Sequence, residues 1–82
     1  MTRWTIDRIR HAPWSAGSDC EDAYVVHFDS GPEPHVIVEY AAGGGGRHAS
    51  EVHTRRMVRP YLDDENPPRR ILIDRDGNPS PR

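Results

Sequence analysis

Apolar positions in this chain fall into short alternating runs, and the longest pair spans Asp22 to Tyr40. Tyr24, Val26 and Phe28 alternate with Val25 and His27, and Val36, Val38 and Tyr40 alternate with His35, Ile37 and Glu39. A period of two over β-branched and aromatic residues predicts two half-buried strands. Residues 29–34 hold Gly31, Pro32 and Pro34, which stop a ladder and favour a turn. The simplest register sets Phe28 against Val36, Val26 against Val38 and Tyr24 against Tyr40; a slip of one pair makes His27 and His35 neighbours. That face is assigned to the core, with Trp4 and Leu62. The other face, with Val25, His27, His35, Ile37 and Glu39, is mixed.

The flanking pattern is weaker. Thr2 to Arg10 places Trp4 and Ile6 on one period-two face with Arg8 following, and predicts a first strand. His11 to Glu21 is broken by Pro13, Gly17 and serines and predicts a loop, with Trp14 pinned against the core. Gly43 to Gly46 predicts a flexible connector. Ser50 is a helix N-cap candidate and Glu51 suits the positive end of the helix dipole. Val52, Met57 and Val58 give an imperfect apolar stripe that Pro60 should interrupt, leaving Tyr61 and Leu62 packed in a last turn before residues 63–68. Arg69 to Asp74 predicts a short strand whose contiguous Ile71, Leu72 and Ile73 ask for cover on both faces. Asp76-Gly77 ends it. The expected architecture is α+β: one domain over residues 1–76, a mainly antiparallel sheet of about four strands with one helix on one face, in the order β-β-β-α-β. Residues 77–82 are expected to be a flexible tail.

Composition narrows this further. At 82 residues the chain is one domain, and a domain this small buries only about 60% of its unfolded surface. No apolar run is long enough to span a membrane, and no signal-peptide pattern is expected. Cys20 is the single cysteine, which excludes an internal disulfide and predicts a reducing, cytoplasmic setting. The formal net charge is −2, so nothing global calls for nucleic acid or an anionic surface. All 11 Lys+Arg positions are arginine.

Candidate chemistry is sparse. The Gly43–Gly46 run ahead of a helix, followed by Arg47 and His48, resembles an anion cradle, but neither the P-loop nor the dinucleotide spacing is completed. Five histidines and a cysteine invite a metal, yet His48 and His53 do not share one helix face and no paired-ligand motif exists. No metal or cofactor is therefore expected. Asp19, Glu21 and Asp22 surround Cys20 and should raise its thiol pKa, which argues against a nucleophile. No serine sits in a nucleophile elbow, and no catalysis is expected.

Two surfaces remain. Val25, His27, His35, Ile37, Ile71 and Ile73 are the candidate interface of a homodimer formed through the sheet, with association weakening below about pH 6 as the histidines charge. Arg55, Arg56 and Arg59, with Arg47, Arg69 and Arg70, form the densest basic region and the candidate contact for an anion or nucleic acid, with Trp4, Trp14 or Tyr61 available to stack bases. The plainer account of that region is a solvated face paired with Asp63, Asp64 and Glu65. The functional expectation is a small non-catalytic interaction protein that self-associates or binds another protein, with nucleic-acid binding through the arginines as the alternative.

Overall fold

The central alternation becomes the two longest strands of the sheet. In the computed structural model, which describes residues 4–30, 35–64 and 68–82, β2 (Cys20–Ser30) pairs antiparallel with β3 (His35–Ala41). Val26 lies opposite Val36, Tyr24 opposite Val38 and His27 opposite His35. This is the slipped register. Partners shift by a whole pleat repeat, so every side chain keeps its face. Val26, Val36, Val38 and Tyr40 are buried, and Tyr24 and Phe28 pack partly buried against them. The turn at 31–34, the expected strand residues 2–3 and residues 65–67 lie outside the described residues.

β1 (Thr5–His11) pairs antiparallel with β2 through a bulge. Ile6 lies opposite Phe28 and Arg8 opposite His27, so Asp7 is an extra residue. Strict alternation from Trp4 and Ile6 would carry Arg8 into the core. The bulge re-phases the strand instead: Ile9 packs on the core, while Arg8 and Arg10 are exposed.

β4 (Arg70–Ile73) lies beside β3 and parallel to it, and β5 (Pro79–Pro81) pairs antiparallel with β4. The sheet is therefore mixed, with five strands in the order β1-β2-β3-β4-β5. The parallel pair follows from the connection, because residues 42–69 make a crossover long enough to return the chain in the same direction. The fifth strand occupies what the sequence suggests is a tail. Asp74, Arg75, Asp76 and Gly77 form a tight turn: Asp74 Oδ1 accepts from the N–H groups of Asp76 (2.9 Å) and Asn78 (3.0 Å), and Gly77 adopts φ of 88°. Pro79 and Pro81 lack donors and are compatible only with an edge.

The crossover carries α1 (Glu51–Val58), capped as expected by Ser50, whose Oγ accepts from the His53 N–H at 3.0 Å. Pro60 converts the chain to a 3-10 turn at Arg59–Tyr61. The stripe facing the core has Thr54, Val58 and Leu62 buried and Met57 and Tyr61 half-buried, whereas Val52 is 69% exposed. Thr54 belongs to the stripe because its hydroxyl hydrogen-bonds the Tyr40 hydroxyl at 2.6 Å. Burial pushes the Tyr40 phenol up to about 12, so it remains a neutral hydrogen-bonding group.

Two expectations about loops change. Trp14, in a 3-10 turn at Pro13–Ser15, is not pinned to the core but 72% exposed. The glycine run is ordered into a turn and a 3-10 helix (Gly45–His48). Gly45 is buried, and a Cβ there would meet the Ile73 carbonyl oxygen at 3.2 Å. Among the described residues, no helix is long and apolar enough to cross a membrane.

Truncating the core face should be costly. Val38→Ala is expected to lose about 1–3 kcal/mol through lost burial and a residual cavity, whereas Val52→Ala should stay within about 0.5 kcal/mol. Urea denaturation of both variants checks the assignment of faces.

Candidate binding face of the sheet

One helix covers one side of the sheet. The register puts Arg8 and Arg10 of β1, Ala23, Val25 and His27 of β2, His35, Ile37 and Glu39 of β3, and Arg70 and Leu72 of β4 on the other side. Arg8, Arg10, His35 and Arg70 are exposed and His27, Ile37 and Leu72 half-buried. Exposed Trp14 stands at the rim, with the Arg10 guanidinium 5.8 Å from its ring centroid, a distance at which cation–π attraction operates. His35, Ile37, Arg69 and Arg70 line a pocket of about 220 Å³.

At the far end of this face, Glu39 is buried to 1% exposure. A carboxylate in that position needs compensation, and Glu39 receives it from β4, from the residue after β5 and from the loop before β2. Its oxygens accept from the Arg70 guanidinium, from Arg82 Nη1 at 3.0 Å and from the Gly17 N–H at 3.2 Å. Arg82 also donates to Asp19 at 2.9 Å, and this pairing holds the Asp19 carboxyl below its ordinary range. Cys20 Sγ lies 3.9 Å from Glu39. Burial first, then Glu39 and Asp19, push its thiol up to about 11, so a thiolate is disfavoured there.

The expected homodimer surface is divided by the fold. Ile71 and Ile73 are fully buried under α1 rather than presented outward, and Val25 is only 5% exposed. His27, His35 and Ile37 do remain on the uncovered face, with the two imidazole centroids 6.2 Å apart. His27 Nε2 is buried and has no hydrogen-bond partner among the described residues. Desolvation, then Arg8, Arg10 and His35, hold the His27 pKa below the ordinary 6.5 against a small opposing effect of Asp7.

The arginine cluster is divided too. Arg55, Arg56 and Arg59 lie on the helix side, while Arg70 lies on the uncovered face. Arg47 sits apart, donating to the Arg75 carbonyl at 3.4 Å. The glycine cradle already holds an anion, since the Glu21 carboxylate accepts from the Gly46 N–H at 2.6 Å. Glu21 gets there through a further register shift, at the start of β2. His48 and His53 are closer than helical spacing allows, with rings 5.7 Å apart, because His48 precedes α1. Among the described residues, no group of three or more metal-ligating side chains is assembled. Sequence reasoning does not find Arg8, Arg10, Glu39 and Arg82; the signal for the first two is the re-phased alternation Ile6–Ile9.

Comparison with known protein families, curated proteins and solved structures finds no match to this chain.

Glu39→Gln should lose about 1.5–3 kcal/mol, the scale of hydrogen bonds to a charged group. Arg82→Ala should lose less, because the Arg70 guanidinium and the Gly17 N–H still compensate the Glu39 carboxylate. A lowered histidine pKa means the unfolded chain binds more protons, so stability is complete above about pH 6.5 and falls as pH drops through that value. His53 acts in the same direction, lowered by burial and then by His48 and Arg56, with the Gly77 backbone opposing. Urea midpoints at about pH 7.5 and about pH 5 should therefore differ, and the difference should shrink in His27→Gln.

Proposed function

We propose that the protein is a non-catalytic binding module that docks an acidic protein partner on the helix-free face of its sheet. The observation that carries this is the composition of that face: Arg8, Arg10 and His35 exposed around half-buried His27 and Ile37, with Trp14 at the rim. Arginine and tryptophan around a partly apolar centre are the residues protein interfaces favour. Two pockets among the described residues, of about 230 and 220 Å³, are smaller than sites for drug-sized ligands, and the disfavoured Cys20 thiolate supports a non-catalytic role. The free thiol of Cys20 suits a reducing cytoplasm.

Self-association through the same face is the competing reading. A two-fold contact would bring Arg8, Arg10 and Arg70 toward their own copies, and the apolar residues that would favour it, Val25, Ile71 and Ile73, are already covered within one chain. Nucleic-acid binding has a narrow stacking platform here: among the described residues, Trp14 is the one indole or phenyl ring beside the face, with the His27 and His35 imidazoles next to it.

Titration with polyglutamate, followed by amide chemical shifts, should perturb Arg8, Arg10, His27 and Ile37, and added salt should weaken the binding. Arg8→Glu with Arg10→Glu should abolish it. Tighter binding of a single-stranded oligonucleotide would favour nucleic acid, and a dimer strengthened by salt in light scattering would favour self-association.

A further inference from the structure

A second surface lies where α1 meets the edge of the sheet. Trp4, Thr5, Ile6, Arg55, Arg59 and Leu62 line a pocket of about 230 Å³. Its floor is fixed. Trp4 is 1% exposed, its indole N–H donates to the Asp64 carbonyl at 2.7 Å, and its backbone N–H donates to the Leu62 carbonyl at 3.0 Å. Its rim is cationic. Arg55 meets Glu51 at 3.7 Å with both side chains well exposed, a pairing of little strength. Arg59, one helical turn on, makes no ion pair among the described residues. The volume falls below that of sites that engulf a whole small ligand and suits a single inserted side chain.

Beside the pocket runs β1, an edge strand with no sheet neighbour on its outer side among the described residues. The opposite edge, β5, is three residues long and carries Pro79 and Pro81, so β1 is the edge that retains donors along its length.

We propose that this groove binds an extended segment of a partner protein in which one apolar side chain is flanked by carboxylates. The apolar side chain enters between Trp4, Ile6 and Leu62. The carboxylates pair with Arg55 and Arg59, and the segment lies along the outer edge of β1, as in recognition by strand addition. A basic segment would meet two guanidinium groups. A nucleobase would find no ring face to stack on, because Trp4 is almost wholly covered. None of the pocket-lining residues belongs to the helix-free face, although β1 borders both, so the inference goes beyond the function proposed above and stands independently of it.

The probe is an end-blocked peptide, Glu-Glu-Leu-Glu-Glu, titrated into the full chain and followed by amide and indole shifts, with the same peptide carrying Ala for Leu as control. The Leu peptide should shift the Trp4 indole N–H and the amides of Ile6 and Leu62 at roughly millimolar concentration. The Ala peptide should bind several-fold more weakly. Arg59→Glu should weaken the Leu peptide about tenfold, and Arg59→Lys should retain most of the binding. Shifts confined to Arg8, Arg10 and His27, or equal binding of the two peptides, would overturn the groove while leaving the helix-free face intact. Binding unaffected by Arg59→Glu in a variant that melts normally would overturn it as well.

Discussion

Glu39 is the point at which the sheet is tied together. Its carboxylate sits on β3, the middle strand, and is buried on the side that α1 does not cover. An isolated charge there would be prohibitive, so the fold is constrained to deliver donors to it. β4 delivers Arg70, the residue after β5 delivers Arg82, and the loop before β2 delivers the Gly17 N–H. Each of these segments is otherwise held modestly: β4 has four residues, β5 three, and the loop a single 3-10 turn. The helix side works differently. There, apolar burial dominates, and polar contact centres on the Tyr40 hydroxyl, which meets the Thr54 hydroxyl and His53 Nδ1.

The two sides therefore have separate roles. Packing of Trp4, Val26, Val38, Ile71 and Ile73 against Val58 and Leu62 makes one compact core. The uncovered face is left polar, cationic and open to contact. The two edges differ: β5 is closed by brevity and proline, whereas β1 bends at Asp7 but keeps donors on its outer side.

What was legible in the sequence was local. Period-two runs of Val, Ile and Tyr marked β2 and β3, Ser50 and Pro60 marked the limits of α1, and the apolar triplet marked β4 as an inner strand. What was not legible depends on pairing. The bulge at Asp7 exists only relative to β2, and it decides whether Arg8 is a core intruder or a surface residue. Asp76-Gly77 reads as an ending because prolines follow; it is a hairpin turn because Pro79 and Pro81 lie at an edge. Glu39 looks like a surface residue of a mixed face until partners far along the chain close over it. Arg59 and Arg70 are near in sequence but lie on opposite sides of the sheet, so the basic cluster dissolves in three dimensions. Thr54 does not read as part of the stripe because a hydroxyl does not count as apolar, although with Met57, Val58, Tyr61 and Leu62 it completes a regular helical stripe.

The sequence distances around Glu39 bear on how the chain reaches this structure. The β2–β3 hairpin closes locally and early, since short loops carry the smallest entropic cost. The donors that neutralise Glu39 come from 31 and 43 residues further along, and they arrive only after α1 has crossed over and β4 has docked in parallel. Until then, the nascent hairpin carries a carboxylate that water must keep solvated. Dehydration of the Glu39 carboxylate is thus coupled to the last and most non-local pairings, the kind that slow folding. The same residue that locks the finished sheet keeps the unfinished one wet.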